Sequence, residues 1–342
     1  MMARKKFRLE DVAKKAGVSV ATVSRALNDS PLVSARTRDH IHEVLRQAGF
    51  SRPRRAEVAR PVRTISVVVP PPQGRDTRIS DPFLLDLLGG IADALREQQC
   101  DMLLSHIMPD GPEAIETLVA PGRSDGLIFV GQSNMHAVLN SMARRSVRGQ
   151  LPFVVWGAEL DDQAYCTIGS DNFRGGEVAT SHLIRLGRKR IAFLGDVESW
   201  EVTLRYRGYK AALEKAGMTV DPALVHPTQF FVDSAMETVE ALLAQGAVLD
   251  GIVAASDLIA MGALRSLATN GVSVPRDVSV VGYDDTHTSS FISPSLTTIR
   301  QDVALGGRML VAKLMRRIRG EDVRSEMLAT ELIVRESCGA LG

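Results

Sequence analysis

Cysteine is scarce in this 342-residue chain, and Cys100, Cys166 and Cys338 stand far apart with no CxxC pair. That spacing offers neither a disulfide framework nor a zinc site. Aromatic residues make up only 5%, with two tryptophans among them. No apolar run is long enough to cross a bilayer. The opening residues, Met1 to Arg8, are charged and lack the apolar stretch of a secretory signal, so a cytoplasmic protein is expected. The Asn28-Asp29-Ser30 sequon has no use in such a protein. Catalytic words are missing as well: there is no GxSxG, HExxH, Walker A or GxGxxG match. The seven histidines are scattered, and His40 and His42, two apart on a helix, do not share a face. No enzyme activity, cofactor or metal is expected.

What is present is arranged unevenly. With 45% hydrophobic and 24% charged residues, the chain is ordinary enough to be globular throughout and too long for one compact domain. Its formal net charge of +1 hides an asymmetry. Residues 1–63 hold 15 Lys and Arg against 6 Asp and Glu, and the remainder holds 26 against 34. A basic head on an acidic body is the electrostatic footprint of a nucleic-acid module fused to something that is not one.

The head reads as three helices. Leu9, Val12, Ala13 and Ala16 recur at helical spacing, and Gly17 supplies the left-handed residue that ends the first helix. Ser19 is a good N-cap for a second helix, whose apolar positions are Val20, Val23 and Leu27. A third is expected from about Ser34 to Ala48, with Ile41, Val44 and Leu45 turned inward and Gly49 at its end. Helix, tight glycine turn and capped second helix make a helix-turn-helix unit, whose second helix can enter the major groove.

From Thr64 onward, apolar strands alternate with amphipathic helices. Strands are expected at 65–69, 102–104, 126–130, 153–156, 190–194, 225–229, 251–254 and 278–281, with helices between them that include 82–98 and 112–119. Such alternation calls for parallel sheets covered on both faces. About 280 residues is more than one core usually serves, so two α/β lobes are expected. Ligands bind beyond the carboxyl ends of strands in open α/β sheets, and two facing lobes make a cleft.

Particular words go further. Asp11-Val12-Ala13, Ala16-Gly17-Val18-Ser19, Ala21-Thr22-Val23-Ser24-Arg25 and Leu27-Asn28 resemble the N-terminal headpiece of lac repressor family transcriptional regulators. Leu186-Gly187-Arg188-Lys189-Arg190-Ile191-Ala192-Phe193-Leu194-Gly195 and Arg205-Tyr206-Arg207-Gly208-Tyr209 resemble that family's regulatory core. So do Ser256-Asp257 ahead of Ala260-Met261-Gly262-Ala263, Val281-Gly282-Tyr283-Asp284-Asp285, and Leu296-Thr297-Thr298-Ile299-Arg300-Gln301-Asp302. Together they cover nearly the whole chain in the family's order. The resemblance implies an α+α/β architecture: a three-helix headpiece over roughly 1–50, a hinge linker over roughly 51–63, and a two-lobed, type I periplasmic-binding-protein-like body over roughly 64–342. It implies chain crossings near 160, 292 and 320, with a first lobe of about 64–159 and 293–319 and a second of about 160–292 and 320–342.

For DNA, the resemblance implies that Val20 and Ala21 occupy the positions that vary with operator sequence, and both are small and apolar, suited to a thymine methyl. Arg25 can fork onto guanine O6 and N7. Ser19, Thr22, Ser24 and Asn28 would hold phosphates and fix register. Lys5, Lys6 and Arg8 are either arm contacts adding salt-dependent affinity or an ordinary basic terminus. The linker departs from the family's pattern, in which a short hinge helix folds on DNA and wedges a leucine into the minor groove. Here Arg52-Pro53 replace Pro-Asn, Ala56 matches, and Ala59 stands at the leucine position, with no leucine between Phe50 and Arg63. Alanine is a poor wedge. Phosphate contacts from Arg54 and Arg55 and a smaller operator kink are expected; the alternative is a disordered, basic, Pro-rich linker.

In the cleft, Arg205 stands at the family position that contacts sugar hydroxyls, and five rigid donors suit a polyol. Asp284 matches the carboxylate that accepts from hydroxyls, or else is a turn acid at a strand end. Ser256 stands where the family commonly has asparagine, and Asp257 is either a ligand contact or the cap of the next helix. Asp81 and Phe83 open the first helix of the body as candidate hydroxyl and stacking contacts. Trp156 and Trp200 could stack on a sugar's apolar face or belong to the core. The expected mechanism is ligand-coupled repression: a homodimer on a pseudo-palindromic operator, released when a small carbohydrate closes the cleft. A purine-like corepressor is the alternative within the class, and a cytoplasmic metabolite-binding protein or enzyme on the same body the alternative outside it. Lacking a leucine heptad near its carboxyl end, the chain is expected to form a dimer rather than a tetramer.

Overall fold

A computed structural model of the chain describes residues 9–27, 33–47, 64–69, 81–106, 123–131, 135–145 and 152–340. It divides into two compact units, Met1–Pro61 and Val62–Gly342. In the first, α1 (Leu9–Ala16), α2 (Val20–Leu27) and α3 (Ala35–Gln47) follow the spacing of their apolar residues. Gly17 takes φ 64°, which lets the Val18 N–H return to the Ala13 carbonyl at 3.0 Å and close the end of α1. Ser19 Oγ accepts from Thr22 N–H at 3.1 Å, and Ser34 Oγ from Thr37 N–H at 3.2 Å. Both later helices therefore start on a serine cap, each worth about 1 kcal/mol. Val12, Ala13, Ala16, Val23, Ala26, Val33 and Ile41 form the core, with Val44 packed against it. The side chains of Leu27 and Leu45, also expected inside, fall outside the described set.

In the second unit, β1 (Thr64–Val69), β2 (Asp101–His106), β3 (Gly126–Val130), β4 (Phe153–Trp156), β5 (Thr167–Ser170) and β11 (Glu326–Leu328) form one sheet in the order β11-β5-β4-β3-β1-β2. A second sheet contains β6 (Ile191–Leu194), β7 (Val225–His226), β8 (Gly251–Ala254), β9 (Ser279–Asp284), β10 (Thr297–Arg300) and β12 (Glu331–Ile333), ordered β12-β10-β9-β8-β6-β7. Every described pairing is parallel except β10 with β12. Alternate residues of the first sheet serve two cores. Ile65, Val67, Ile128 and Val154 meet α4 (Pro82–Glu97) and α10 (Val303–Ile318), while Val68, Leu127, Phe129 and Phe153 meet α5 (His136–Arg145). This two-sided burial is why these strands read as unbroken apolar runs.

Around the second sheet lie α6 (Asn172–Arg185), α7 (Trp200–Lys215), α8 (Val232–Ala244) and α9 (Asp257–Thr269). The first two approach closely through glycine. A Cβ on Gly176 would lie 2.1 Å from the Arg205 carbonyl oxygen, and one on Gly208 would lie 2.1 Å from that of Phe173. That contact sets the backbone of α7, and with it Arg205.

The chain crosses between the sheets at Asp171, at 301–302 and at 329–330, each about ten residues later than expected from the resemblance. β5 (TIGS) and β10 (TTIR) are four-residue, hydroxyl-rich segments that carry no apolar run. They nevertheless extend the first and second sheets before the chain leaves. Two of the crossings end in helix caps: Asp171 accepts from Arg174 N–H and Asp302 from Leu305 N–H, both at 2.9 Å. The helix expected at 112–119 and the linker 51–63 lie outside the described residues.

Candidate functional site

Contacts between the lobes are made beyond the carboxyl ends of strands on both sides. Arg205, on α7, is the central side chain and is buried to 6% exposure. Its Nε donates to Asn172 Oδ1 at 2.8 Å, its Nη1 donates to the Ala255 carbonyl, and its guanidinium carbon lies 3.7 Å from the Tyr283 ring centroid. Asn172 is itself fixed by donating to the Ser170 carbonyl at 3.0 Å. The ends of β5, β8 and β9 thus hold the guanidinium over an aromatic ring, with its Nε and Nη1 edge bonded to Asn172 and Ala255. A planar fork pinned along one edge presents its remaining donors in a fixed direction.

Asp284 ends β9 at φ 118°, and Asp285 follows at φ 57°. Non-glycine residues in this region cost roughly 1–3 kcal/mol each and persist only where the surroundings over-determine them. Here they are over-determined. Gln301 Nε2 donates to Asp284 Oδ1 at 2.7 Å, and Asp285 is ion-paired to Arg300 at 2.7 Å and to Arg335 at 2.6 Å. Asp284 Oδ2 faces no donor among the described residues. Burial pushes the Asp284 carboxyl well above the usual carboxylate range; the Arg205 charge opposes this, and the carboxylates of Asp257 and Asp81 add to it. Asp81 belongs to the first lobe, where it caps α4 by accepting from Phe83 N–H at 2.9 Å. Burial raises its carboxyl too, against the helix N–H groups and the Arg205 charge. Electrostatic coupling of Asp81 to both Arg205 and Asp284 brings these three together across the lobes.

Other expected residues take different places. Trp156 is 5% exposed, and a Cβ on Gly306 would lie 2.3 Å from its ring, so it is a core side chain under α10 without an open face. Half-buried Phe83 sits beside it at 6.2 Å between centroids. Ser256 caps α9 by accepting from Ile259 N–H at 3.2 Å. The cap role considered for Asp257 therefore belongs to Ser256, and Asp257 has no exposed surface for a ligand. Its carboxylate instead accepts from Thr286 N–H at 2.8 Å, Thr286 Oγ1 at 3.1 Å, Thr298 Oγ1 at 2.6 Å and Ser289 Oγ, pinning the segment between β9 and β10. Trp200 stands 40% exposed at the start of α7. Asn172, the Ala255 carbonyl, Tyr283 and Gln301 complete the Arg205–Asp284 pocket without having been singled out. Tyr283 and Gln301 lie inside the motifs quoted above, whereas nothing local marks Asn172.

On α2, Ser19, Val20, Ala21 and Arg25 are exposed and Thr22 is half-buried, while Val23 and Ala26 are buried. One face of the helix closes the small core and the other is open along its amino-terminal half. The Ser24 side chain, Asn28, Lys5, Lys6, Arg8, Arg54, Arg55 and Ala59 lie outside the described set. Among the described residues, no cluster of three His, Cys, Asp or Glu could hold a metal ion, and no helix is long and apolar enough to cross a membrane.

A helix-turn-helix unit and a two-lobed body with a polar cleft, carried on one chain, define a DNA-binding regulator with a small-molecule site. Comparison with known proteins makes this specific. Residues 8–52 match the family described as bacterial regulatory proteins, lacI family, and residues 180–338 match a periplasmic binding protein-like domain. The chain is 30% identical over 345 residues to the HTH-type transcriptional repressor PurR of Haemophilus influenzae (strain PittEE), covering 96% of this chain and 98% of that one. A solved transcriptional regulator CelR–cellobiose complex is 32% identical with a TM-score of 0.70, over 97% of this chain and 100% of that one. A lac repressor dimer bound to operator and the anti-inducer ONPF is 27% identical with a TM-score of 0.70, over 98% and 99%. The chain belongs to the lacI family of bacterial regulatory proteins and is a helix-turn-helix, DNA-binding transcriptional regulator.

Proposed function

We propose that this regulator is a repressor, that it binds a pseudo-palindromic operator as a homodimer in the cytoplasm, and that a small carbohydrate releases it. The observation that carries the carbohydrate reading is the pocket itself. The second edge of the Arg205 guanidinium and Asp284 Oδ2 have no hydrogen-bond partner in this cleft among the described residues, and the Arg205 charge acts on the Asp284 carboxyl. A hydroxyl both donates and accepts, and a polyol presents several at once, so it satisfies both partners where a purely accepting or purely donating ligand satisfies one. Asp81 contributes from the opposite lobe, so the same ligand engages both lobes and favours their closed arrangement by its differential affinity for it. CelR, solved with cellobiose, supports a sugar; PurR, named a repressor, supports repression.

On DNA, the open face of α2 is assigned to the major groove: Val20 and Ala21 to thymine methyls, Arg25 to guanine, and Ser19, Thr22, Ser24 and Asn28 to phosphates. One such helix reads too few bases for specificity, which is the reason for two copies on a two-fold site. Arg54 and Arg55 add phosphate contacts from the linker, with Ala59 in place of a wedge. The test is to recover the DNA retained by the purified chain from sheared genomic fragments, then titrate sugars and nucleobases against the complex by fluorescence anisotropy. Release by a sugar supports the reading. Tightening by a nucleobase, with sugars silent, would replace it by corepression.

A further inference from the structure

The Arg205–Asp284 pocket uses only part of the surface between the lobes. Trp200 keeps 40% of its surface exposed at the first turn of α7, just beyond β6. Facing it from the first lobe is His136, just beyond β3, with ring centroids 6.5 Å apart and planes inclined at 57°. His136 is locked by its own lobe: Nδ1 lies 2.8 Å from Tyr165 Oη, and Nε2 lies 2.9 Å from Asp162 Oδ1 and 3.0 Å from Asn140 Nδ2. Both imidazole nitrogens are engaged, so the ring acts as a rigid wall rather than a hydrogen-bonding partner. One lobe presents the indole and the other presents the wall.

The distance from the inner pocket is set by topology. β9, which ends in Asp284, is separated from β6 by β8 alone, so two strand spacings, roughly 10 Å, lie between the end of β9 and the end of β6, beyond which Trp200 follows. Along α7, the five residues from Trp200 to Arg205 rise about 7.5 Å. A single hexose ring seated on Arg205 and Asp284 does not reach the indole, whereas two linked rings do. The apolar C–H face of a pyranose is a natural partner for an exposed indole.

We propose that Trp200, backed by His136, is an outer subsite for the second ring of the effector, which is therefore a disaccharide or longer oligosaccharide rather than a free hexose. This rests on the carbohydrate reading of the inner pocket. Trp200 and His136 come from different lobes and meet each other, so a ring stacked on the exposed face of the indole lies against a contact that joins the lobes.

The test is titration calorimetry of the full chain with glucose and galactose, and with cellobiose, maltose and lactose. At least one disaccharide is expected to bind about tenfold tighter than its own monosaccharide. Trp200→Ala should remove that advantage while leaving the monosaccharide affinity unchanged, and Trp200→Phe should restore most of it. Asp284→Asn should weaken both sugars together. The disaccharide should also quench Trp200 emission, which the monosaccharide should not. Equal affinity for one ring and two, or parallel weakening of both by Trp200→Ala, overturns the outer subsite and leaves the inner pocket standing. Silence of all five sugars overturns the carbohydrate reading and the subsite with it.

Discussion

Asp257 offers the clearest quantitative test of how the second lobe is held together. The residue is fully buried and accepts four hydrogen bonds, from Thr286 N–H, Thr286 Oγ1, Ser289 Oγ and Thr298 Oγ1. Burial raises its carboxyl and the four bonds lower it; burial wins, and the group is pushed up to about 6 from a usual 3.8. Between those values the folded chain keeps a proton that the unfolded chain has released. Stability contributed by this group is thus present at acid pH and lost as pH rises through the window. The interval corresponds to about 3 kcal/mol. Asparagine in its place carries no charge to desolvate. Its carbonyl, in the place of Oδ2, can accept from Thr286 N–H, the one partner that can only donate, and from the Ser289 hydroxyl, while the Thr298 hydroxyl turns to accept from Nδ2 in the place of Oδ1. Alanine leaves that N–H buried and unpaired, at a cost of about 1–3 kcal/mol before any cavity is counted. Urea unfolding of the full chain from about pH 4 to pH 7 should therefore show Asp257→Asn near wild type at the acid end and more stable by up to about 3 kcal/mol at the neutral end. Asp257→Ala should be weaker than Asp257→Asn at every pH. Groups remote from Asp257 titrate equally in all three proteins; Asp284, whose carboxyl the Asp257 charge raises, is relieved alike in both variants, which widens their gap from wild type in the same direction as pH rises. A gap between Asp257→Asn and wild type that stays flat or narrows with rising pH would refute the reasoning.

Arg205→Lys should lower effector affinity by about a hundredfold or more in calorimetry, because a point charge cannot span Asn172 and Ala255 while lying on Tyr283; operator affinity without effector should stay unchanged. Gly208→Ala forces a Cβ to 2.1 Å from the Phe173 carbonyl oxygen and 2.6 Å from Glu177 N, and should cost about 1–3 kcal/mol, read as a lower Tm. Ser19→Ala removes the cap bond from Thr22 N–H and should destabilise the headpiece by about 1 kcal/mol in circular-dichroism melts, with operator and random DNA weakened alike. In contrast, Arg25→Ala should relax base preference in selected-site sequencing; unaltered preference would remove Arg25 from base readout. Ala59→Leu should increase operator bending in a gel phasing assay, and an unchanged bend would defeat the wedge reasoning.

How far residues announce their roles depends on whether the signal is local. The headpiece was readable because its decisive features lie within a few residues of one another: Gly17 at φ 64°, the Ser19 and Ser34 caps, and apolar positions three and four apart. The core strands were readable because burial on both faces leaves apolar runs such as 126–130 and 153–156. β5 and β10 escaped because they carry hydroxyls instead, and the crossings expected near 160 and 292 were set too early for that reason. The pocket divided along the same line. Arg205 and Asp284 could be named from motif, but Asn172 joins Arg205 only because α6 and α7 meet through Gly176 and Gly208, a contact between helices that no single segment encodes. Asp257 shows the opposite failure. Its position after a strand and before a helix suggested a cap or a ligand contact, yet all four of its donors come from residues 29 to 41 positions later in the chain. The residues that shape the cleft without entering it are those tied by such long-range bonds. Three of the groups involved, Asp257, Asp284 and Gln301, lie on α9, on β9 and at the β10 crossing, so the Arg205–Asp284 site and a crossing of the chain between lobes share contacts. On the proposed function, a ligand that draws on Asp284 would pull through Gln301 on a crossing segment, and this bond would link occupancy of the cleft to the relative position of the two lobes.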